Sequence, residues 1–419
     1  MILRDLQRVV TNDYAQLSAL AIWENSTRPD RTLYFSIPAG YADYLQTCYD
    51  PFLVAALVPA IHNGETRIHV EGDICPHLLD NLYEAMGWLY GWYEYSGLPI
   101  RLEARKRDNR KTLHTVPPRS AIFLSGGVDS LACLSHNLNH YPPADPLRVS
   151  AGVYVYGFDV GGQEPTFDSP KALATLAGVE KVLSPLCDKL QLDYIRVKTN
   201  IRHLDDTPGF WGEQFCGAAI SACGQALGNQ FSHFFLSSSG RKIMKNAVFS
   251  PFGNHPVLDH NYSSEQVHIQ HYQCRLDSRL ERIRIICNNV DILDSVRVCF
   301  FPPEDKLNCE RCEKCVRTKL GLYALGKLQQ ARSFSMPLQA EDIRRVDISS
   351  DASFSNYMEI KALLQQQNDR TEFIGEIDKL LQRYRKWKAW KEETNLKGTL
   401  KKLDRRFFNN SLQNLLAGS

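Results

Sequence analysis

Residues 121–133 read AIFLSGGVDSLAC, and this stretch decides how the middle of the chain folds. Ala121 to Leu124 suits a short buried strand, and Leu131 to Asn139 has the spacing of a helix. Between them lies Ser125-Gly126-Gly127-Val128-Asp129-Ser130, a turn running straight from strand to helix. Two glycines let the backbone turn sharply and bring its N–H groups close to a ligand. The helix N-terminus adds donors and a partial positive charge, which together suit a phosphate. Ser125 and Ser130 offer hydroxyls to phosphate oxygens, and Asp129 reads as a ligand for Mg²⁺ bridging the phosphates. No G-x-x-x-x-G-K-[ST] occurs, so this is not a Walker A loop.

Outward from the loop, strand-like and helical segments alternate. Strands are expected at Val149 to Phe158, Tyr194 to Val197, Phe231 to Leu236 and Val296 to Phe300. Helices are expected at Leu173 to Leu190, Gly212 to Leu227 and Arg275 to Cys287. Such alternation predicts an α/β fold, with a mainly parallel sheet, helices on both faces and ligands beyond the carboxyl ends of the strands. Residues 1–115 read as an N-terminal α+β domain, with strands at Arg31 to Ile37, Thr66 to Val70 and Ile100 to Ala104 and a helix at Pro76 to Tyr93. Residues 105–118 read as a linker. The core domain spans 116–327, and 328–419 read as a helical extension with helices at Tyr357 to Gln367 and Phe373 to Trp390.

The 419 residues are 43% hydrophobic and 23% charged, which excludes a disordered chain, a collagen-like fibre and a small disulfide scaffold. Phe52 to Ile61 is the longest apolar run and is shorter than the ~20 residues a bilayer requires. With no signal-peptide pattern, a cytoplasmic protein without a membrane partner is expected. The net charge of +2 hides a basic tail, because Arg383 to Ser419 holds ten basic and three acidic residues.

Cys299, Cys309, Cys312 and Cys315 form C-x9-C-x2-C-x2-C. Four thiolates from one loop can enclose a tetrahedral Zn²⁺ with no open position, which makes the zinc structural. Four cysteines also suit an iron–sulfur cluster.

The loop resembles the SGGxDS signature of the PP-loop ATP pyrophosphatases, which cleave ATP between the α and β phosphates and leave AMP on an acceptor oxygen. With the cysteine arrangement, the region from about Arg119 to Gly326 resembles 7-cyano-7-deazaguanine synthase. The resemblance implies Ser125, Gly126, Gly127, Asp129 and Ser130 as the ATP and Mg²⁺ site and the four cysteines as zinc ligands. It implies a deazapurine carboxylate as substrate, adenylated by ATP and captured by an amine. The added terminal segments are more similar to larger synthase-like proteins of bacterial anti-phage cassettes, where the acceptor would be an amine on a protein partner.

Other candidates lie at predicted strand ends. Asp159 suits ribose, Mg²⁺ or purine contact, beside Gly161 and Gly162. Arg241 and Lys242 (with Lys245) would neutralise phosphates or the substrate carboxylate and are the expected catalytic cations with Asp129. His255, Asp259 and His260 fall in GNHPVLDH, read first as a turn and otherwise as a second metal site or substrate contact. Trp387 and Trp390 among basic residues can bind nucleic acid or pack on the protein itself, and packing is the preferred reading. The competing functions are a tRNA-modifying enzyme, with Cys216 or Cys223 as thiol, and a non-catalytic nucleotide-binding subunit.

Overall fold

The computed structural model describes the chain apart from residues 109–118, 208, 238–243, 246–247, 250, 273–277, 300–301, 304–305, 368–369 and 408–419. Of 244–245, 248–249 and 391–407 it describes the backbone alone. The chain divides into two compact units, Met1–Cys309 with Gln329–Ser333, and Glu310–Leu328 with Phe334–Ser419.

The first unit is built on ten strands. They are β1 Ile2–Val10, β2 Tyr14–Ile22, β3 Arg31–Pro38, β4 Arg67–Ile74, β5 Arg101–Lys106, β6 Ser120–Phe123, β7 Val149–Tyr156, β8 Asp193–Thr199, β9 His233–Ser237 and, after the two-residue pair β10 Met244–Lys245 and β11 Val248–Phe249, β12 His268–Tyr272. Their order in the sheet is β12-β9-β6-β7-β8-β3-β2-β1-β4-β5. All pairings from β12 to β8 are parallel, as are β1–β4 and β4–β5; β8–β3, β3–β2 and β2–β1 are antiparallel. The fold is therefore α/β with a mostly parallel sheet.

The segment before residue 115 and the alternating segment after it share this one sheet, because Phe35 and Ser36 of β3 pair with Thr199 and Lys198 of β8. The helices follow from the crossovers. They are α1 Asp50–His62, α2 Pro76–Tyr93, α3 Val128–His140, α4 Pro170–Lys189, α5 Cys216–Ala226 after a π turn at Trp211–Phe215, and the short α6 Pro256–Asp259, α7 Arg279–Ile286 and α8 Val290–Asp294. On one face Ala121, Phe123, Val153, Val197, Phe234 and Ile269 join the apolar residues of α1 and α5 in one core. The apolar run at Phe52 to Ile61 is thus α1, buried along nearly its whole length within this core. The other face carries α3 and α4, where Leu124 and Cys187 close on Gly152. Among the described residues no helix is long and apolar enough to cross a membrane.

Strands β6, β7 and β8 step outward in one direction, whereas β9 and β12 add on the other side of β6. The crossovers on the two sides lie on opposite faces, which leaves a crevice at the carboxyl ends of β6 and β9. The expected strand at Val296 to Phe300 does not form among its described residues. One side chain replaces the ladder there. Asn308 Oδ1 accepts from Val298 N (2.9 Å) and Cys299 N (3.3 Å), and its Nδ2 donates to Val296 O (2.8 Å).

The second unit holds α9 Glu313–Ala324, α10 Ala340–Arg345, α11 Asp351–Gln365 and α12 Ile374–Phe407. Tyr357, Ile360 and Leu364 of α11 and Ile377, Leu380 and Leu381 of α12 are buried, at the spacing that gives each helix one apolar stripe. Trp387 and Trp390, for which packing was preferred, are 40% and 62% exposed.

Gly157 tests the turn after β7. Its φ is +108°, and a Cβ there would sit 1.9 Å from Thr199 O. Gly157→Ala should lower unfolding stability by about 2 kcal/mol or more; a urea midpoint equal to wild type would refute the close approach.

Candidate functional site

The Ser125–Ser130 loop sits at the crevice between β6 and β9. Gly126 has φ +76°, the left-handed region that favours glycine, and a Cβ there would press on Leu183 and Arg297. Ser130 Oγ donates to Gly127 O (3.1 Å) and accepts from Ser125 N (3.3 Å), while Gly127 N donates to Ser125 Oγ (3.3 Å). The two hydroxyls lie 3.2 Å apart. Gly127 is the N-cap of α3 and has no side chain to cap it, so the first backbone donors of a 13-residue helix stay available to a ligand.

Two arginines that the sequence reading did not single out attend this loop. Arg297 N donates to Gly126 O at 2.8 Å. Its side chain belongs to a residue only 9% exposed, and its Nη2 is buried without a hydrogen-bond partner. A guanidinium nitrogen buried without a partner, on a residue whose backbone touches this loop, calls for an anion. Arg282, fully buried on α7, donates from Nη1 to Asp129 Oδ1 at 2.9 Å, and Arg279 lies 3.7 Å from Asp129 Oδ2. Asp129, expected at Mg²⁺, is thus engaged by two cations and holds Arg282 near the loop. No local pattern marks Arg282 or Arg297, because each reaches the loop only through the tertiary fold.

Asp159 follows β7 and is exposed. Arg202 donates to Phe158 O, stacks 4.4 Å over Trp211 and carries its charge within reach of Asp159. Gly162 passes so close to Phe158 O that no Cβ fits, so the close approach here is of chain to chain. Arg241 and Lys242, expected as catalytic cations, lie outside the described residues, as does the side chain of Lys245.

GNHPVLDH forms a turn and α6, with the His255 side chain capping α6 by accepting from Val257 N. Asp259 is fully buried and accepts from Asn254 Nδ2 (2.7 Å) and His255 N (3.0 Å), and lies 2.7 Å from His271 Nδ1. Burial raises its carboxyl above the usual range against the pull of His271. Cys216 donates to Gly212 O, and burial pushes its thiol up to about 12; burial raises Cys223 as well. Neither thiol has the thiolate character that sulfur transfer needs.

The four cysteines Cys299, Cys309, Cys312 and Cys315 converge, with all sulfurs within 4.8 Å of one another. Thiolates ~2.3 Å from one tetrahedral ion stand ~3.8 Å apart, so the set fits a single metal such as zinc. Four irons placed between the sulfurs would hold them further apart. Arg317, two residues after Cys315, has Nη1 on Ser353 Oγ (2.6 Å) and Nε near Glu313 (3.4 Å).

No family model, curated protein or solved structure matches this chain.

Elemental analysis should find about one zinc per chain, without the visible absorption of an iron–sulfur cluster. Cys315→Ser should lose the metal and lower the melting temperature, and full stability without metal would remove the structural role. A second measurement concerns pH. Burial, with His271 nearby, lowers His255 to about 4, against ~6.5 in the unfolded chain. The contribution is complete above pH 6.5 and is lost as pH falls from 6.5 to 4, the window in which the unfolded chain binds a proton that the folded chain does not. Roughly 2–3 kcal/mol should disappear across that window in the wild type. His255→Asn keeps a capping acceptor and should flatten the loss; parallel profiles would contradict the assignment.

Proposed function

We propose that the chain is an ATP-dependent, AMP-forming ligase of the PP-loop kind, which adenylates a carboxylate and passes the acyl group to an amine. The observation that carries this reading is the uncapped start of α3, with Gly126, Gly127 and the buried Arg297, at the crevice where the strand order reverses. Backbone donors and Arg297 would hold the phosphates, and the charge that grows on departing pyrophosphate would meet groups already in place. The carboxylate oxygen attacks the α-phosphorus and pyrophosphate leaves; the amine then attacks the acyl carbon and AMP leaves. Arg282, held by Asp129, adds a second cation beside the loop. Asp129 would have to be shared with two arginines to bind Mg²⁺. Zinc at the four cysteines would shape their segment and take no part in the chemistry.

The sequence resemblance supports 7-carboxy-7-deazaguanine as the carboxylate, and the terminal segments outside the resemblance support a protein amine, as in anti-phage cassettes, over ammonia. The raised thiols of Cys216 and Cys223 weigh against thiolation of tRNA.

Purified protein with ATP and 7-carboxy-7-deazaguanine should release pyrophosphate and AMP in equal amounts. Arg297→Met should slow that release by about 100-fold, the scale of losing one preorganised stabilising group. Nucleotide turnover that ignores the carboxylate would overturn the substrate assignment, and an unaffected Arg297→Met would overturn the site.

A further inference from the structure

The carboxyl end of β12 carries a buried pair to which the adenylation reading gives no task. His271 projects from the same face of β12 as Ile269, toward α5 and α6, by the alternation of a strand. Its side chain is 5% exposed, and Nδ1 lies 2.7 Å from Oδ2 of the fully buried Asp259. Asn254 Nδ2 and His255 N also donate to that carboxylate, so Asp259 is placed as an acceptor for three donors. In the neutral ring a carboxylate at Nδ1 places the proton on Nδ1 and the lone pair on Nε2. That nitrogen is buried and has no hydrogen-bond partner. Buried polar atoms without partners are rare, and one on an oriented imidazole points to a ligand atom not yet supplied.

The position is right for a second reactant. His271 pairs with Leu236 of β9, and Phe235 of β9 pairs with Ile122 of β6, so His271 stands level with Phe123, just before the glycine loop. Two strand spacings, about 10 Å, separate the two backbones. The loop leads into α3 on one face of the sheet, and the pair lies on the other, at the same carboxyl end of the strands. Oriented imidazoles held by a buried carboxylate take protons from attacking nucleophiles in unrelated folds.

We propose that His271, positioned by Asp259, is the general base for the amine that captures the acyl-adenylate. This rests on the adenylation reading above. As the nitrogen lone pair forms the bond to the acyl carbon, its N–H proton passes to His271 Nε2. The bond from that carbon to the phosphate oxygen breaks with its electron pair, AMP departs, and the imidazolium returns the proton to water. The groups around the pair that titrate are His255 and His260 near α6, Cys216 on α5 and Tyr262 after α6. Cys216 gives its hydrogen to Gly212 O and is a neutral neighbour of the pair.

The test separates the half-reactions. His271→Asn keeps a donor for Asp259 and removes the second nitrogen. Carboxylate-dependent ATP–pyrophosphate exchange should stay within about twofold of wild type, while capture by ammonia, the probe amine, should fall by about 100-fold or more at pH 7. Capture should recover in part as pH rises, because hydroxide then takes the proton that the attacking nitrogen must lose. Asp259→Asn should lower the rate of capture and shift its pH profile without changing the KM for ATP. His271→Gln serves if the asparagine variant does not fold. Wild-type exchange with unimpaired capture by the variants overturns the base and leaves adenylation standing. Loss of exchange and capture together makes the pair structural. No exchange in the wild type overturns both readings.

Discussion

The parallel pairing of β6 with β7 on one side and β9 on the other places the glycine loop and, through β9 and β12, the Asp259–His271 pair. Because the crossovers leave toward opposite faces, the backbone after β6 ends where the strand order reverses, the point at which such sheets open. There the chain puts Gly126, at a φ of +76° that favours glycine, and then Gly127, which starts a helix with no side-chain cap. The buried arginines make sense only against this background. Arg282 is balanced by Asp129, whereas Arg297 keeps a guanidinium nitrogen without a protein acceptor.

The same economy governs the segment before the cysteines. Val296 to Cys299 has strand-like composition, yet among the described residues no strand pairs with it, and its backbone groups are met by the Asn308 amide and by Gly126 O. A hydrophobic pattern predicts that backbone groups will be satisfied but not by what. Here the bond from Arg297 N to Gly126 O also ties this segment to the glycine loop.

The central strands, α2 and the long terminal helix were legible in the sequence because their periodicities persist over many residues. The expected helix at Pro76 to Tyr93 coincides with α2 at both ends. Helix α1 escaped notice for the opposite reason. It is apolar on all sides, since it is buried between sheet and α5, and a uniformly apolar run carries no period to read. Strand β12, HIQHY, was equally opaque, because polar residues occupy it where one face meets α6 and the edge is open.

By itself the sequence determined the glycine loop between strand and helix and the four cysteines at ligand spacing, because in both the chemistry depends on residues adjacent in the chain. Only the tertiary structure decided that residues 1–107 extend the same sheet, that Asp129 meets Arg282, that Arg297 lies beneath Gly126 and that Asp259 orients His271. Those partners stand between 12 and 171 residues apart, and no local pattern encodes which polar groups burial will bring face to face. Their pairing follows from the order of the strands, which is a property of the packed sheet as a whole.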